Sequence, residues 1–258
     1  MCGIAGILRS DACKLKLTED IISRILISLE YRGHDATGLC WKDKNNKVFY
    51  ILKTSATATD FVNLPEYKKN IPQIVKSSVI LLHTRAASQG SPLFNHNNHP
   101  IFNKMGIIIH NGDTHVPEWL PSDGTTDSEQ IMLYIQKYGW DGLSKIVGWL
   151  SIAYISLSTD EIFIYRDNAP LSYSTRIDDA FLFASTRQTL TDSFGITEEI
   201  SNIKPHIVFK VDNTFKLLPV LEIKKPVIQN EIGVHNYGYT TIYPGYSGSY
   251  SGEQFWDY

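Results

Sequence analysis

Uninterrupted apolar runs of strand length most restrict the fold of this chain. GIAGIL (Gly3 to Leu8), VILLHTR (Val79 to Arg85), MGIIIHNGD (Met105 to Asp113) and FLFAS (Phe181 to Ser185) place apolar residues at successive positions. Successive side chains of a strand point to opposite faces, so strands of this kind must be covered on both. TGLCW and KVFYILK read as strands around the DKNNK turn. LSIAYISLSTDEIFIYRD reads as a hairpin turning near Ser158 to Asp160, and HIVFKV continues the sheet. Two helices show their starts. Thr18 precedes Glu19 and Asp20, then IISRILISLEY repeats apolar residues at helical spacing; TTDSEQIMLYIQKYG is the second. Strands therefore dominate, interleaved with two or three helices, and no domain break is visible before about residue 226.

Composition narrows the function. A formal net charge of −3 on 258 residues does not suit a protein that neutralises phosphates, so no nucleic-acid binding is expected. No apolar run reaches the roughly 20 residues of a membrane-spanning helix, and the N-terminus lacks a basic region ahead of its apolar stretch. Three cysteines, Cys2, Cys13 and Cys40, are too few for a disulfide scaffold, and a reducing cytoplasmic compartment is expected. Residues 226–258 differ from the rest. They are rich in Tyr, Gly and Ser, cannot form a core alone, and read as a C-terminal arm or tail following a domain over residues 2–225.

Cys2 is the sharpest chemical feature. Removal of Met1 would leave a thiol and a free α-amine on one residue, and an amine titrating near pH 7.7 can act as base for its own thiol. Taken alone, Cys2 reads rather as a small apolar residue entering a buried strand than as a nucleophile. Arg85, Asp127 and Asn111-Gly112, taken singly, read as a salt-bridge partner, a helix cap and a turn. Jointly they say more. MCGIAG, YRGHDATG, HTRAASQG, HNGD and TDSE follow one another along the chain. In that order they resemble the glutaminase domain of class II glutamine amidotransferases, members of the N-terminal-nucleophile hydrolase superfamily, over roughly residues 2–190. RDNAPL (Arg166 to Leu171) looks like a degenerate form of a late family segment.

The resemblance implies an α+β fold, the four-layer αββα sandwich, and a set of roles. Cys2 is the nucleophile, and Asn111 with Gly112 forms the oxyanion hole. Arg85 meets the glutamine carboxylate, Asp127 its ammonium, and Ser88 supplies a hydroxyl. Arg32, Gly33 and Asp35 support the N-terminal strand and Cys2. The implied activity is hydrolysis of the glutamine side-chain amide through a Cys2 thioester, with ammonia passed to a partner synthase on a separate chain. No cofactor is implied. Two departures concern the loop over the pocket: Ala86 and Gln89 replace bulkier family residues and predict a less enclosed site, and His34 stands where proline or tyrosine is frequent.

His83, His96, His99, His110 and His115 invite a metal reading, but the spacing of a structural zinc site is missing and no metal is expected. Three other functions fit the same motifs: a stand-alone hydrolase of γ-glutamyl or other amides, a catalytically silent assembly subunit, and a glutamine sensor.

Overall fold

A computed structural model describes residues 1–225 apart from Asn46 and Asp123; the predicted arm at 226–258 lies outside the described residues. In chain order its first half contains β1 (Gly3–Arg9), α1 (Glu19–Glu30), β2 (Ala36–Lys42), β3 (Phe49–Thr54), α2 (Ala58–Phe61), α3 (Pro65–Ile74), β4 (Val79–Arg85), β5 (Ile101–Phe102) and β6 (Gly106–His115). The second half contains α4 (Asp127–Tyr138), β7 (Val147–Ser156), β8 (Glu161–Arg166), β9 (Ser172–Ser174), β10 (Ala180–Ala184), α5 (Arg187–Phe194), β11 (Ser201–Asn202), β12 (Ile207–Val211) and β13 (Leu217–Glu222).

The strands form two sheets. One has the order β11-β9-β10-β1-β4-β2-β3 and the other β13-β12-β8-β7-β6-β5. Three apolar clusters separate four layers. The first, with Leu26, Leu29, Leu82 and Leu182, joins the outer face of the seven-stranded sheet to α1, α2, α3 and α5. The second, with Ile4, Leu81, Ile109, Ala153 and Phe183, lies between the sheets. The third, with Ile108, Ile131, Ile135 and Ile152, joins the six-stranded sheet to α4. Helix, sheet, sheet and helix therefore stack as expected, and neighbouring residues on one strand serve different clusters. Ile107 and Ile109 face the seven-stranded sheet while Ile108 faces α4, which is why these strands are apolar throughout rather than alternating.

Both predicted helix starts occur. The Thr18 side chain accepts from the backbone N–H of Ile21, and Thr126 does the same for Glu129. The helix count is larger than the two or three expected. α3 starts with Pro65 and contains Pro72, yet buries Tyr67, Ile71 and Ile74 on one face. Pro65 suits the first helical position, where an N–H has no partner in any case. α5 is capped by Thr186 and ends at Gly195 in the left-handed region. No helix among the described residues is long and apolar enough to cross a membrane.

Candidate active site

The inter-sheet layer changes character along its length. On β1, β4, β6 and β7 the residues facing it are apolar at Ile4, Leu81, Ile107, Ile109, Ala153 and Ile155. The two-residue period of a strand then assigns Cys2, His83, Arg85, Asn111 and Ser151 to the same faces at one end. β1 and β4 are antiparallel with Gly3 opposite Thr84, and β6 and β7 place Asn111 opposite Ser151. The start of the chain is thereby fixed beside the exits of β4 and β6.

Cys2 is 8% exposed. Its Sγ–H donates to the Ala86 carbonyl at 3.6 Å, the one hydrogen bond of this thiol among the described residues. Burial pushes the thiol above its ordinary value, against the smaller pull of that hydrogen bond and of the positive chain terminus. The Cys2 carbonyl accepts from Arg32 Nε at 3.0 Å, and Arg32 Nη2 lies 3.6 Å from Met1 Sδ.

The turn that follows α1 acts mainly on β4. A Cβ on Gly33 would stand 2.4 Å from the carbonyl carbon of Arg85 and 2.5 Å from the Ala86 nitrogen, so only glycine permits this approach. Asp35 donates its N–H to the Arg85 carbonyl at 2.9 Å, and its Oδ2 accepts from the Ala87 N–H at 2.8 Å. Arg32 contacts the Cys2 backbone directly. Gly33 and Asp35 instead set the strand exit that carries Arg85.

Arg85 is buried and its fork is occupied. Nη1 donates to Asn98 Oδ1 at 2.9 Å, and Nη2 donates to the carbonyls of Gln89 and of Gly90, the latter at 2.8 Å. Lys53 Nζ holds the same segment through the carbonyls of Asn98 (2.6 Å) and Pro100 (2.9 Å). Burial lowers the Lys53 ammonium to about 8. Asp127, at the start of α4, accepts at Oδ2 from both Thr114 N–H and Thr114 Oγ1, each at 3.0 Å.

One small cavity collects these groups. Cys2, Arg85, Ser88, Gly112 and Asp127 line it, together with Ala86, Gln89, His99, His110, Thr126 and Ser128. Its volume is about 10 Å³, room for about one water. The expected loosely covered pocket is not found: the Gln89 amide reaches the Thr114 carbonyl at 3.4 Å, and its backbone carbonyl is tied to Arg85. Asn111 is fully buried next to the cavity wall, and neither atom of its amide has a partner among the described residues. A Cβ on Gly112 would meet the Trp149 carbonyl at 2.2 Å and His110 Nε2 at 2.4 Å. His96 does not line this cavity, and no group of three metal-ligating side chains is placed to hold an ion among the described residues. A larger groove of about 580 Å³, lined by Val48, Phe49, Phe102 and Leu157, involves none of the predicted site residues.

Sequence reading gives Lys53 and Asn98 no place in this region, takes His99 and His110 as metal candidates only, and gives Ser128, within TDSE, no role. His110 was legible as the last polar residue before Asn111 on an apolar strand. Lys53 and Asn98 carry no local signal, because their contacts span 45 residues.

Comparison with known proteins agrees with this geometry. The profile of a family described as a glutamine amidotransferase domain matches residues 78–219, just over half of the chain. The glutamine–fructose-6-phosphate aminotransferase of Francisella tularensis is 28% identical over 221 residues, covering 77% of this chain and 34% of that protein. Its counterpart from Halalkalibacterium halodurans is 27% identical over 238 residues, covering 84% of this chain and 37% of that protein. The chain thus spans about a third of the length of these curated relatives. The solved glutamine phosphoribosylpyrophosphate amidotransferase of B. subtilis superposes with a TM-score of 0.62 at 18% identity, over 84% of this chain and 49% of that one; it establishes the fold. Fold, motif order and family profile coincide: the chain belongs to the class II glutamine amidotransferases, enzymes of the N-terminal-nucleophile hydrolase fold.

Proposed function

We propose that Cys2, once Met1 has been removed, is the nucleophile that hydrolyses the side-chain amide of glutamine. The observation that carries this reading is the meeting of five distant segments at one buried thiol. That thiol is raised by burial and has no side-chain base hydrogen-bonded to it among the described residues. Its base is then the α-amine of the same residue, directly or through a water. The amine takes the thiol proton and the sulfur attacks the amide carbon. Asn111 and the Gly112 N–H hold the oxyanion, each such donor being worth about 2.7–4 kcal/mol of barrier. The C–N bond breaks as the amine returns the proton to the leaving nitrogen, ammonia departs, and water cleaves the γ-glutamyl thioester to glutamate.

Arg85 meets the substrate carboxylate, whose two oxygens suit its fork once the Gln89 and Gly90 carbonyls move off it. Asp127 meets the ammonium, and Ser88 contributes a hydroxyl to the wall. Arg32, Gly33 and Asp35 keep Cys2 and the β4 exit in place. A cavity of about 10 Å³ is too small for glutamine, so entry displaces the 86–90 segment outward. The ammonia-consuming site is assigned to a synthase on a separate subunit in the cytoplasm. The arm at 226–258, by its aromatic composition, is the segment assigned to dock that subunit.

Steady-state glutamate release from glutamine and from a panel of γ-glutamyl peptides tests the substrate. Strong preference for free glutamine supports the amidotransferase reading, whereas equal turnover of the peptides makes this a stand-alone amide hydrolase. Deleting residues 235–258 should abolish co-purification with a synthase and spare the fold; undiminished co-purification contradicts the docking role.

A further inference from the structure

Buried polar atoms nearly always have a partner, yet six atoms at or behind the Cys2 cavity have none among the described residues. They are His83 Nδ1, both ring nitrogens of His99, His110 Nε2, and the two amide atoms of Asn111. His99 and His110 line the Cys2 cavity, and His83 stacks behind His99 with ring centroids 4.0 Å apart. We propose that His99 and His110, backed by His83 and Asn111, form a receiving site for one molecule of neutral ammonia. This rests on the glutamine-hydrolysis reading and says where its first product goes.

Hydrogen-bond chemistry fixes which ring atoms are lone pairs. His83 Nε2 lies 3.0 Å from the His110 carbonyl. A carbonyl only accepts, so Nε2 carries the proton and Nδ1 is bare. His110 Nδ1 lies 2.8 Å from Ser128 Oγ, which is 3.4 Å from Asp127 Oδ1. The carboxylate accepts from the Ser128 hydroxyl, the hydroxyl accepts from Nδ1–H, and Nε2 is left bare beside Gly112. Burial holds all three rings neutral. A neutral His99 adds one more lone pair, and Asn111 Oδ1 adds an acceptor.

The site thus offers several acceptors, alongside the N–H groups of His99 and Asn111, and is sized for one small molecule. Ammonia brings three donors where water brings two, and with its N–H groups engaged its own lone pair is free. Ammonium is disfavoured, because the charges of Arg85 and Lys53 act on His83 and His99 and desolvation, which outweighs the nearby carboxylates even at His110, penalises a further cation. A metal fits less well: the planes of His83 and His99 are only 18° apart, so their lone pairs run parallel rather than converging.

A receiving site beside the thioester makes the acylation step reversible. Bound ammonia attacks the thioester carbon, the C–N bond forms as the C–S bond breaks, and the thiolate takes the proton released from nitrogen. Glutamine is regenerated. With glutamine and ¹⁵N-ammonium in alkaline buffer, the Met1-processed protein should place ¹⁵N in the glutamine amide, with a rate that saturates in ammonia. His99→Phe should lower the ratio of exchange to hydrolysis about tenfold, and His99→Gln should restore part of it. An unchanged ratio in a protein still alkylated at Cys2 by a glutamine-analogue diazoketone overturns the site. ¹⁵N-histidine NMR of the unmodified sequence decides the same point without turnover. Added ammonium in alkaline buffer should shift His83 Nδ1 and His110 Nε2 saturably; unmoved resonances overturn the proposal even if glutamine hydrolysis holds. Absence of the Cys2 adduct indicts the hydrolysis reading alone.

Discussion

The two ends of the inter-sheet layer are made by the same four strands, on the same faces, and differ only in side chains. Along β4 the facing residues run Leu81, His83, Arg85; along β6 they run Ile107, Ile109, Asn111; along β7 they run Ile155, Ala153, Ser151. β1 follows the rule from Leu8 through Ile4 to Cys2. The apolar end stabilises the sandwich through burial and close packing. At the polar end the same rigid backbone fixes groups whose hydrogen-bonding capacity the protein leaves partly unused. Strand pairing supplies the precision that loops alone would not, so the site is positioned by the core without contributing much to it.

That division predicts opposite effects at the two ends. Cys2→Ser should lower glutamine hydrolysis by at least about a thousandfold and change unfolding free energy by less than about 1 kcal/mol. Glutamate release and urea unfolding of the same preparation measure both. Leu81→Ala, at a fully buried position of the apolar end, should cost about 2–5 kcal/mol of stability and leave Cys2 open to alkylation; a stable Leu81→Ala protein that has lost its alkylation would break the comparison. Asn111→Ala should reduce turnover by about 10²–10³ with only a small shift in the urea midpoint, since its amide has no partner among the described residues.

A further effect is a pH dependence of stability confined to the polar end. Burial lowers His83 to about 3 and lowers His99 and His110 as well. Below the ordinary value of 6.5 the unfolded chain binds protons that the folded rings refuse, so stability falls as pH drops from 6.5 towards 3. Each ring contributes at most about 1.4 kcal/mol per pH unit. Urea midpoints across that range should decline, and His83→Gln should flatten the decline. A midpoint independent of pH contradicts the neutral, buried histidines.

The sequence made the polar end partly legible. Cys2, Arg85, Gly112 and Asp127 sit at strand exits or a helix start, where an apolar run gives way to a short polar motif, and all of them reach one cavity. The layered fold was legible for a related reason: continuous apolar strands admit few arrangements other than sheets covered on both faces. What escaped depends on contacts between distant segments. Nothing near Lys53 announces that its ammonium ties down Asn98 and Pro100, or that Asn98 then holds Arg85. The closure of the pocket escaped for the same reason, because Gln89 and Gly90 act through backbone carbonyls that any residue possesses. Likewise α3 hides its amphipathic face behind two prolines.

The central claim is that a processed Cys2 is the working nucleophile. Intact mass of the purified protein, before and after incubation with a glutamine-analogue diazoketone, tests it most directly. The account predicts loss of Met1 and a single adduct that maps to Cys2. Retained Met1 with no adduct, or an adduct at Cys13 or Cys40, would contradict it.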